Sequence, residues 1–458
     1  MSDEATANEE RDDRSEGASS GRQRISLKQR AIQSTAIVTM SFGMAQMIRL
    51  ASNLILTRLL AREVFGIMLL VQTVVVAANL FSDMGIGQNI INHKRGAEQS
   101  FMNTVWTTGI IRGFILWLII AVLAYPMAVF WKAPEMAPMI IVVGFSYVIM
   151  SFESTGMWLL CREVKNLRVE IWNVLTQIIS TVLLVWLAFY WRSVWVLVIA
   201  SLIQASIKVV LSYLLLPGHR CWFTLEREGV RDILHYGWPI FISTGTMFVL
   251  RYSDKVILGR ITTKEELGIY SIAFALASMI VLAINHLANN TLFPVYSRLA
   301  EQGSDHLRKN TFRIRAGLLA LALPGIWAIA IFGDKIIELL YRPEYYAGGW
   351  MLRLMAVASI ATIINQTSTG ILLAIRNSKR YMVMQGIRAV IFLVAILIGA
   401  WYGGLYGLLV GAIVASLSEY PVIAWAIRPH KVWLPVLDFG ALGLSGVVIF
   451  WGSMIFQS

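Results

Sequence analysis

The sequence predicts an all-α integral membrane protein, with about 12–13 transmembrane helices in two parallel six-helix repeats around a central cavity. The composition, a series of long apolar stretches and an internal repeat lead to this prediction. Of the 458 residues, 57% are hydrophobic and 14% are charged, whereas soluble domains contain about 45–50% apolar and about 25% charged residues. One soluble core could not bury so much apolar surface, so the expected solvent is lipid.

The apolar stretches are each long enough for a transmembrane helix, which needs about 20 residues. A transmembrane barrel strand needs only about 9–11 residues with an alternating pattern, so the stretches predict a helical bundle and not a barrel. In chain order the predicted spans cover residues 31–57, 65–88, 103–128, 138–160, 169–190, 194–216, 233–258, 267–293, 314–333, 348–374, 381–402, 404–427 and 436–455.

The seventh stretch repeats the first at an offset of 202 residues. The recurring pairs are Arg49 with Arg251, Arg58 with Arg260, and Gly66 with Gly268. A Ser-Thr-Gly sequence that begins at Ser154 also returns at Ser368, at an offset of 214 residues. The copies are six spans apart, and an even number of crossings returns the chain in the same direction. The sequence therefore predicts parallel repeats, which occur in many secondary transporters.

The repeat also sets the predicted domain boundaries. Residues 1–30 are expected to form a disordered cytoplasmic tail, because most of this segment is acidic and rich in Ser and Gly. An N-terminal six-helix bundle, a cytoplasmic linker, a C-terminal six-helix bundle and an additional C-terminal helix follow, over residues 31–216, 217–232, 233–427 and 428–458. Alternate loops hold about three times as many Lys and Arg residues as the others, which predicts a cytoplasmic N-terminus.

The net charge of +12 does not indicate a nucleic-acid partner, because the Lys and Arg residues are spread over short loops. The longest loops contain about 15–20 residues, whereas an independent domain needs about 50 or more. No loop could hold a soluble catalytic domain, so we predict that the protein is not an enzyme. The six histidines show no zinc-site spacing, so neither a metal nor a cofactor is expected.

Several cations fall within the predicted spans, where an ionisable group costs at least about 2.5–3.5 kcal/mol. Arg49 and Arg251 lie mid-span in corresponding helices, and Lys255 lies one turn beyond Arg251. Guanidinium groups stay charged and form bidentate hydrogen bonds with phosphate oxygens, so we predict that these three residues attract an anionic group of the substrate in the central cavity. Alternatively, Asp254 neutralises Arg251 from the same helix face. For the other cations the simpler interpretation is an interfacial position; they are Arg112, Lys208, Arg353 and Arg388.

The carboxylates in the spans suggest a second role. Glu153, Asp83 and Asp254 are candidates for coupling transport to H⁺ or Na⁺, or for pairing with a cation. Glu153 is the first choice for coupling because it directly precedes the repeated Ser-Thr-Gly sequence. The sequence leaves open whether Glu153 couples transport or pairs with a cavity arginine for structural reasons.

Uncharged polar residues cluster in the eighth and tenth spans. The candidates for contacting sugar hydroxyls are Asn285, Asn289, Asn365 and Gln366. Hydrogen bonds between transmembrane helices, each contributing about 1–2 kcal/mol in model peptides, explain the same residues without a ligand. Both interpretations fit the sequence.

Three stretches resemble the polysaccharide transporter family of the multidrug/oligosaccharidyl-lipid/polysaccharide exporter superfamily. They are Leu56–Gly66 after the first span, Leu292–Leu299 at the end of the eighth, and Leu339–Ala347, with Leu352 and Met355, before and within the tenth. With the hydropathy pattern, the resemblance covers about residues 25–430. It implies a flippase that moves an oligosaccharide repeat unit, linked to undecaprenyl diphosphate, from the inner to the outer leaflet by alternating access. Exopolysaccharide, capsule or O-antigen synthesis uses such a step.

The resemblance also implies partners and a location. The partners are the lipid-linked oligosaccharide, membrane lipids, and the polysaccharide polymerase and export machinery, and the location is the bacterial inner membrane. Two alternatives are a cation-coupled drug antiporter of the same superfamily and a membrane enzyme such as a polysaccharide polymerase. The antiporter favours an acidic, aromatic cavity, and the enzyme usually needs a longer external loop than the one near residues 333–348.

Overall fold

A computed structural model describes residues 36–82, 95–96, 98–162, 166–216, 221–288, 296, 304–375, 377–430 and 432–457. The predicted cytoplasmic tail, residues 1–30, lies outside these ranges. The described residues are largely helical and contain no β-strand. Ten helices among them are long and apolar enough to cross a membrane. The predicted fold class, an all-α integral membrane protein, is confirmed.

The described helices of the first half follow the first six predicted spans. They are α1 (residues 36–59), α2 (Arg62–Ser82), α3 (Gln99–Phe130), α4 (Ala137–Ser151), α5 (Gly156–Arg162), α6 (Asn166–Trp191) and α7 (Val194–Leu215). A short 3₁₀ helix, Pro134–Met136, precedes α4. The fourth predicted span is divided between α4 and α5, and Glu153 lies in the break between them.

The described helices of the second half follow the remaining predicted spans. They are α8 (Arg227–Ile261), α9 (Lys264–Leu287), α10 (Ser304–Leu340), α11 (Gly348–Ala374), α12 (Ser378–Ser418), α13 (Tyr420–Ile427) and α14 (Pro435–Gln457). Short 3₁₀ helices cover Pro343–Tyr345 and Arg428–His430.

Helix α12 turns back on itself at Gly403 and Gly404, so it consists of two arms. Gly404 has a φ of +55°, which glycine adopts without the steric penalty of a side chain. The arms approach so closely that a Cβ atom at Gly399 would overlap the backbone oxygen of Gly407. The turn separates the eleventh and twelfth predicted spans at the expected position.

Capping side chains determine where several helices begin. The hydroxyl of Thr263 accepts a hydrogen bond from the Glu266 backbone N–H, and the Glu266 carboxylate accepts one from the Thr263 backbone N–H. At the start of α7, the hydroxyl of Ser193 accepts a hydrogen bond from the Trp195 backbone N–H. These contacts satisfy N–H groups that have no partner within their own helix.

The two halves of the chain meet along α2, which packs against α8 and α9. The core at this junction includes Leu70, Trp131, Leu258 and Tyr270, and each is at most 5% exposed. Within the halves, α3 packs on α4, α6 on α7, α10 on α11, and α11 on α12. Helix α14 packs against α10 and α11. The division into two parallel repeats stays a prediction.

Candidate functional site

A polar cavity lies within the first half of the chain, between α1, α2, α4, α6 and α7. Its volume is about 530 Å³. His286 of α9 reaches it from the second half, and its ring stacks on that of Phe42 with 4.3 Å between the ring centres. The charged and amide side chains that also line it are Arg49, Gln72, Glu170, Asn173, Gln177, Gln204 and Lys208.

Helical spacing brings these side chains together. On α6, Glu170, Asn173 and Gln177 are three or four residues apart, so they share one face of the helix. Gln204 and Lys208 share a face of α7 in the same way. Many apolar residues of both helices are exposed instead. Each helix therefore turns its polar face toward the cavity and its apolar face toward lipid.

Two cations and one carboxylate line the cavity. The cations are the guanidinium group of Arg49 and the ammonium group of Lys208. The carboxylate is that of Glu170, which faces Ser41 and Asn173. Arg49 is exposed and forms no ion pair within the described residues. An anion that enters the cavity therefore meets a guanidinium group that has no carboxylate partner in the described part of the chain.

Glu153 lies behind Lys208, in the non-helical break between α4 and α5. Its Oε2 atom is 3.3 Å from Lys208 Nζ, and this Nζ is also 4.9 Å from the centre of the Trp172 ring. Glu153 Oε1 is buried and has no hydrogen-bond partner in the part of the chain that the structure describes. The cation beside Glu153 is thus a lysine, for which the sequence predicted an interfacial position, and not an arginine.

Lys255 was expected in the anion site, but the structure places it in a buried ion pair. It is 3% exposed, and its Nζ is 2.9 Å from Asp254 Oδ2 and 3.8 Å from the centre of the Phe274 ring. The hydroxyl of Tyr270 donates a hydrogen bond to the same carboxylate at 2.5 Å. Asp254 therefore neutralises Lys255 and not Arg251, and Lys255 does not line the cavity.

Arg251 is exposed and also lies outside the lining of this cavity. Its guanidinium group lies in the neighbourhood of Tyr252 on the same helix and Tyr381 on α12. Arg49 and Arg251 therefore do not line this cavity together, although both residues are exposed.

The predicted sugar-contacting residues of the tenth span differ in their surroundings. Asn365 is 1% exposed, and its amide donates a hydrogen bond to the Ser416 carbonyl at 2.8 Å. Asn365 thus links two helices, which is the structural interpretation that the sequence left open. Gln366 is partly buried, and its Oε1 has no hydrogen-bond partner among the described residues.

Of the remaining candidates, the structure describes only Asn285. Asn285 is partly buried on α9 but does not line the cavity, although its neighbour His286 does. Asn289 and the coupling candidate Asp83 lie outside the described residues.

Several charges of the second half are buried against partners. Arg315 is fully buried, and its Nη2 is 2.5 Å from Asp438 Oδ1 of α14. Arg388 was expected at the interface, but its Nη2 is 2.7 Å from Glu419 Oε2, and both side chains are less than 10% exposed. The cause is the helix packing, which brings a carboxylate within reach of each guanidinium group. These pairs join helices and do not line the polar cavity.

Sequence reasoning missed Glu170 and the Arg315–Asp438 pair. A signal for Glu170 was present, since its spacing to Asn173 and Gln177 makes one polar helix face. The Arg315–Asp438 pair joins positions 123 residues apart, and nothing in a single sequence links them. No group of three or more His, Cys, Asp or Glu side chains that could hold a metal occurs in the described ranges.

Away from the polar cavity, the starts of α2 and α9 are in close backbone contact. A Cβ atom at Gly66 would overlap the backbone oxygen of Lys264, and a Cβ atom at Gly268 would overlap that of Arg62. Gly66 and Gly268 are one of the repeated pairs, so the close approach depends on glycine in both halves. We call this contact of residues 62–66 with residues 264–268 the seam.

Neighbouring side chains reinforce the seam. Glu135 and Lys264 form an ion pair across it, and the hydrogen bond from Lys264 lowers the pKa of the Glu135 carboxyl group. The Nε1–H of Trp131 donates a hydrogen bond to the Val256 carbonyl at 3.1 Å.

The cavity and the seam lie at opposite ends of the helices. The cavity is lined by the first parts of α1 and α6 and the last parts of α4, α7 and α9. The seam is built from the starts of α2 and α9. Of the residues that reinforce it, Trp131 and Glu135 follow the end of α3, and Val256 lies near the end of α8. The close contact between the halves therefore lies toward one end of the helices and the polar cavity toward the other.

Known proteins of similar sequence come from polysaccharide biosynthesis. Residues 55–347 match the family described as polysaccharide biosynthesis protein. The teichuronic acid biosynthesis protein TuaB of Bacillus subtilis (strain 168) is 21% identical over 302 residues, which are 65% of this chain and 62% of TuaB. The succinoglycan biosynthesis transport protein ExoT of Rhizobium meliloti (strain 1021) is 23% identical over 280 residues, or 60% of this chain and 56% of ExoT. The chain thus matches less than two thirds of the length of either relative.

Solved structures of transporters share the fold. The lipid II flippase MurJ, in an inward closed conformation, superposes with a TM-score of 0.68 at 13% identity, over 91% of this chain and 92% of MurJ. A multidrug resistance MATE family transporter, in an inward-facing conformation, gives a TM-score of 0.66 at 15% identity, over 88% of this chain and 98% of the transporter. At these identities the likeness establishes the fold alone. The family match covers more than half of the chain. The chain therefore belongs to the polysaccharide biosynthesis protein family.

Proposed function

We propose that this protein is a flippase for a lipid-linked oligosaccharide repeat unit. It moves the unit, carried on undecaprenyl diphosphate, from the inner to the outer leaflet of the bacterial cytoplasmic membrane, for exopolysaccharide, capsule or O-antigen synthesis. The observation that carries the proposal is the polar cavity, where two cations stand among four amides. The names of ExoT, a transport protein, and MurJ, a lipid flippase, support it.

The lining suits the two parts of such a headgroup. Guanidinium and ammonium groups form charge-assisted hydrogen bonds with phosphate oxygens, and Arg49 and Lys208 supply them. Sugar hydroxyls both donate and accept hydrogen bonds, as amides do, so Gln72, Gln177 and Gln204 suit the sugar. The volume of about 530 Å³ falls within the range of about 300–1,000 Å³ for small-molecule sites.

The second half contributes to the site in a later conformation. Arg251 lies on the helix that repeats α1 and is exposed, so it can meet the headgroup when the halves rearrange. Lys255 is held by Asp254 in this conformation and joins the site only if that pair opens. Gln366, whose Oε1 lacks a partner among the described residues, is the second-half candidate for a sugar contact.

Alternating access accounts for the placement of the cavity and the seam at opposite ends. With a cytoplasmic N-terminus, the cavity end faces the cytoplasm and the seam faces outward. The headgroup then enters from the inner leaflet, and the two bundles, residues 31–216 and 233–427, rock until the seam opens. The lipid tail stays in the bilayer, and the polymerase and export machinery receive the sugar on the outer side.

The first test is the substitution Arg49→Ala in cells that depend on this protein for polymer export. A hydrogen bond to a charged group contributes about 1.5–3 kcal/mol, so we expect export to fall about 10- to 100-fold, while the protein remains inserted and abundant. Arg251→Ala is expected to reduce export in the same direction. The measurement is polymer released per unit of membrane-inserted protein.

Arg168→Ala is the matched control, because Arg168 is an exposed arginine on α6 that does not line the cavity. It should leave export unchanged. If Arg49→Ala and Arg251→Ala both export polymer at the wild-type rate, the diphosphate assignment is wrong.

A drug antiporter is the second candidate, and one observation favours it. Glu170 and the stacked rings of Phe42 and His286 give the cavity an acidic, aromatic side, which suits a lipophilic cation. Efflux of a fluorescent cation that depends on Glu170, together with normal polymer export by Arg49→Ala, would establish this alternative.

A further inference from the structure

Lys208 has two possible partners, one on each side. Its ammonium group lines the polar cavity, and it also stands 3.3 Å from Glu153 Oε2. The Lys208 side chain is 27% exposed and that of Glu153 is 15% exposed. Lys208 is thus accessible from the cavity, whereas Glu153 lies behind it.

The backbone around Glu153 is fixed to α7 in the described structure. The Ser154 N–H donates a hydrogen bond to the Ser212 hydroxyl at 3.1 Å, and the Tyr213 hydroxyl donates one to the Phe152 carbonyl at 2.8 Å. Because the residues on both sides are held, Glu153 cannot easily follow Lys208 if the lysine turns toward the cavity.

Lys208 supplies the charge that compensates Glu153 within the described residues. The other titratable groups nearby are Tyr213 of α7 and Cys221, which contacts Thr155 at 3.3 Å. A phenol and a thiol are ordinarily neutral at pH 7. Glu153 Oε1 already lacks a hydrogen-bond partner there, so Lys208 is the cation that pairs with this carboxylate among the described residues.

A phosphate group in the cavity competes for the same ammonium group. It carries more negative charge than a carboxylate and offers several acceptor oxygens. When Lys208 Nζ turns to the phosphate, Glu153 remains buried without a counter-charge, which is strongly unfavourable for the ionised form. Binding a proton from the buffered bulk solution at the unpartnered Oε1 removes that charge.

We propose that diphosphate binding takes Lys208 away from Glu153 and that Glu153 then binds one proton. This inference rests on the proposed function, because it assumes a phosphate-bearing cargo. The empty carrier contains a Lys208–Glu153 ion pair, and the loaded carrier contains a Lys208–phosphate pair beside a neutral Glu153. The buried charges of the site are therefore compensated both with and without cargo. Because a proton binds together with the diphosphate, the affinity for the cargo depends on pH.

The test is calorimetric titration of the detergent-purified protein with farnesyl diphosphate. Titrations at one pH, in two buffers with different ionisation enthalpies, give the number of protons bound per diphosphate. We expect uptake approaching one proton in the wild type, and a Kd that tightens up to about tenfold per pH unit as the pH falls. Glu153→Gln should still bind the diphosphate but without that proton uptake. Any protons that the diphosphate itself exchanges on binding are also measured with Glu153→Gln, so the difference between the two proteins gives the uptake by Glu153.

The matched control is Glu135→Gln, which removes a carboxylate at the seam and should keep the wild-type uptake. Equal uptake in the wild type and in Glu153→Gln would overturn the inference while the binding itself still supports the proposed function. No binding of farnesyl diphosphate to the wild type would overturn both.

An infrared difference spectrum of the wild type makes the test independent of any variant. Diphosphate binding should produce the carbonyl band of a protonated carboxylic acid, and absence of that band would overturn the inference. Glu153→Gln, where it folds, should remove the band.

Discussion

The two halves of the chain hold their intramembrane charges in different ways. In the first half, Arg49 and Glu170 line a polar cavity without an ion pair among the described residues. In the second half, Arg315 and Arg388 are buried against carboxylates of other helices. These first-half charges thus line a cavity, whereas these second-half charges join helices; Lys208 of the first half does both, because it lines the cavity and pairs with Glu153.

The two halves share the residues that pack their helices together but not the polar side chains on their inner faces. Similar helices recur because each must cross the same bilayer and pack at the same junction, and the repeated Gly66 and Gly268 meet at the seam for that reason. Polar side chains on the inner faces are not bound by this requirement. The polar inner faces of the two halves can therefore differ, although the positions that pack at their junction recur.

Removing a buried charge of the second half should have the largest effect on stability. Arg315→Met leaves Asp438 buried without its cation, and breaking a buried pair costs about 3–5 kcal/mol. We expect a large fall in membrane abundance and in the thermal unfolding temperature in detergent. Arg49→Ala in the first half should leave both unchanged, which would confirm the contrast between the halves.

Two further variants separate lost charge from lost packing. The double variant Arg315→Met with Asp438→Leu should recover much of the stability, because no unpaired charge remains. Arg353→Met is the matched control, since Arg353 pairs with a carboxylate that is 44% exposed, and surface pairs contribute about 0–1 kcal/mol. Wild-type abundance of Arg315→Met alone would contradict the contrast.

Adding one methyl group at the seam should have an intermediate effect. Gly268→Ala places a Cβ atom against the backbone oxygen of Arg62, and overpacking of this kind costs about 1–3 kcal/mol. Because the backbone oxygen cannot turn aside as a side chain can, α2 and α9 must separate. We expect a folded protein with a weakened closed state, detected as greater labelling of a cysteine placed beside the seam.

Gly317→Ala is the control for this experiment, since a Cβ atom there meets no atom within 4 Å. It should leave the labelling rate unchanged. Unchanged labelling in Gly268→Ala would show that the seam does not hold the halves together.

The fold was predictable because the bilayer imposes helices of known length on an apolar sequence. The turn at Gly403 and Gly404 was also visible as a break between two spans. The orientation of each helix about its own axis was not, because packing against neighbours sets it. For that reason the sequence placed Lys208 at the membrane interface, whereas the structure shows it in the cavity lining. Conversely, the sequence placed Lys255 in the cavity, whereas the structure shows it buried against Asp254.

The ion pair between Glu135 and Lys264 should have the smallest effect. It has the same chemistry as the buried pairs, but its side chains are 50% and 38% exposed. Water and salt screen such pairs, so Glu135→Gln should lower the free energy of unfolding by less than about 1 kcal/mol. A double-mutant cycle with Lys264→Gln, at low and high salt, measures the coupling.

The pH dependence of this pair has a definite sign. The pKa of Glu135 is lowered in the folded protein by its hydrogen bond from Lys264. The stabilisation is therefore fully present above the ordinary pKa of a glutamate and is lost as the pH falls through the lowered value. Thermal unfolding in detergent across that acidic range should show the wild type and Glu135→Gln converging as the pH falls. A difference that instead grows toward low pH would mean that the pair does not stabilise the seam.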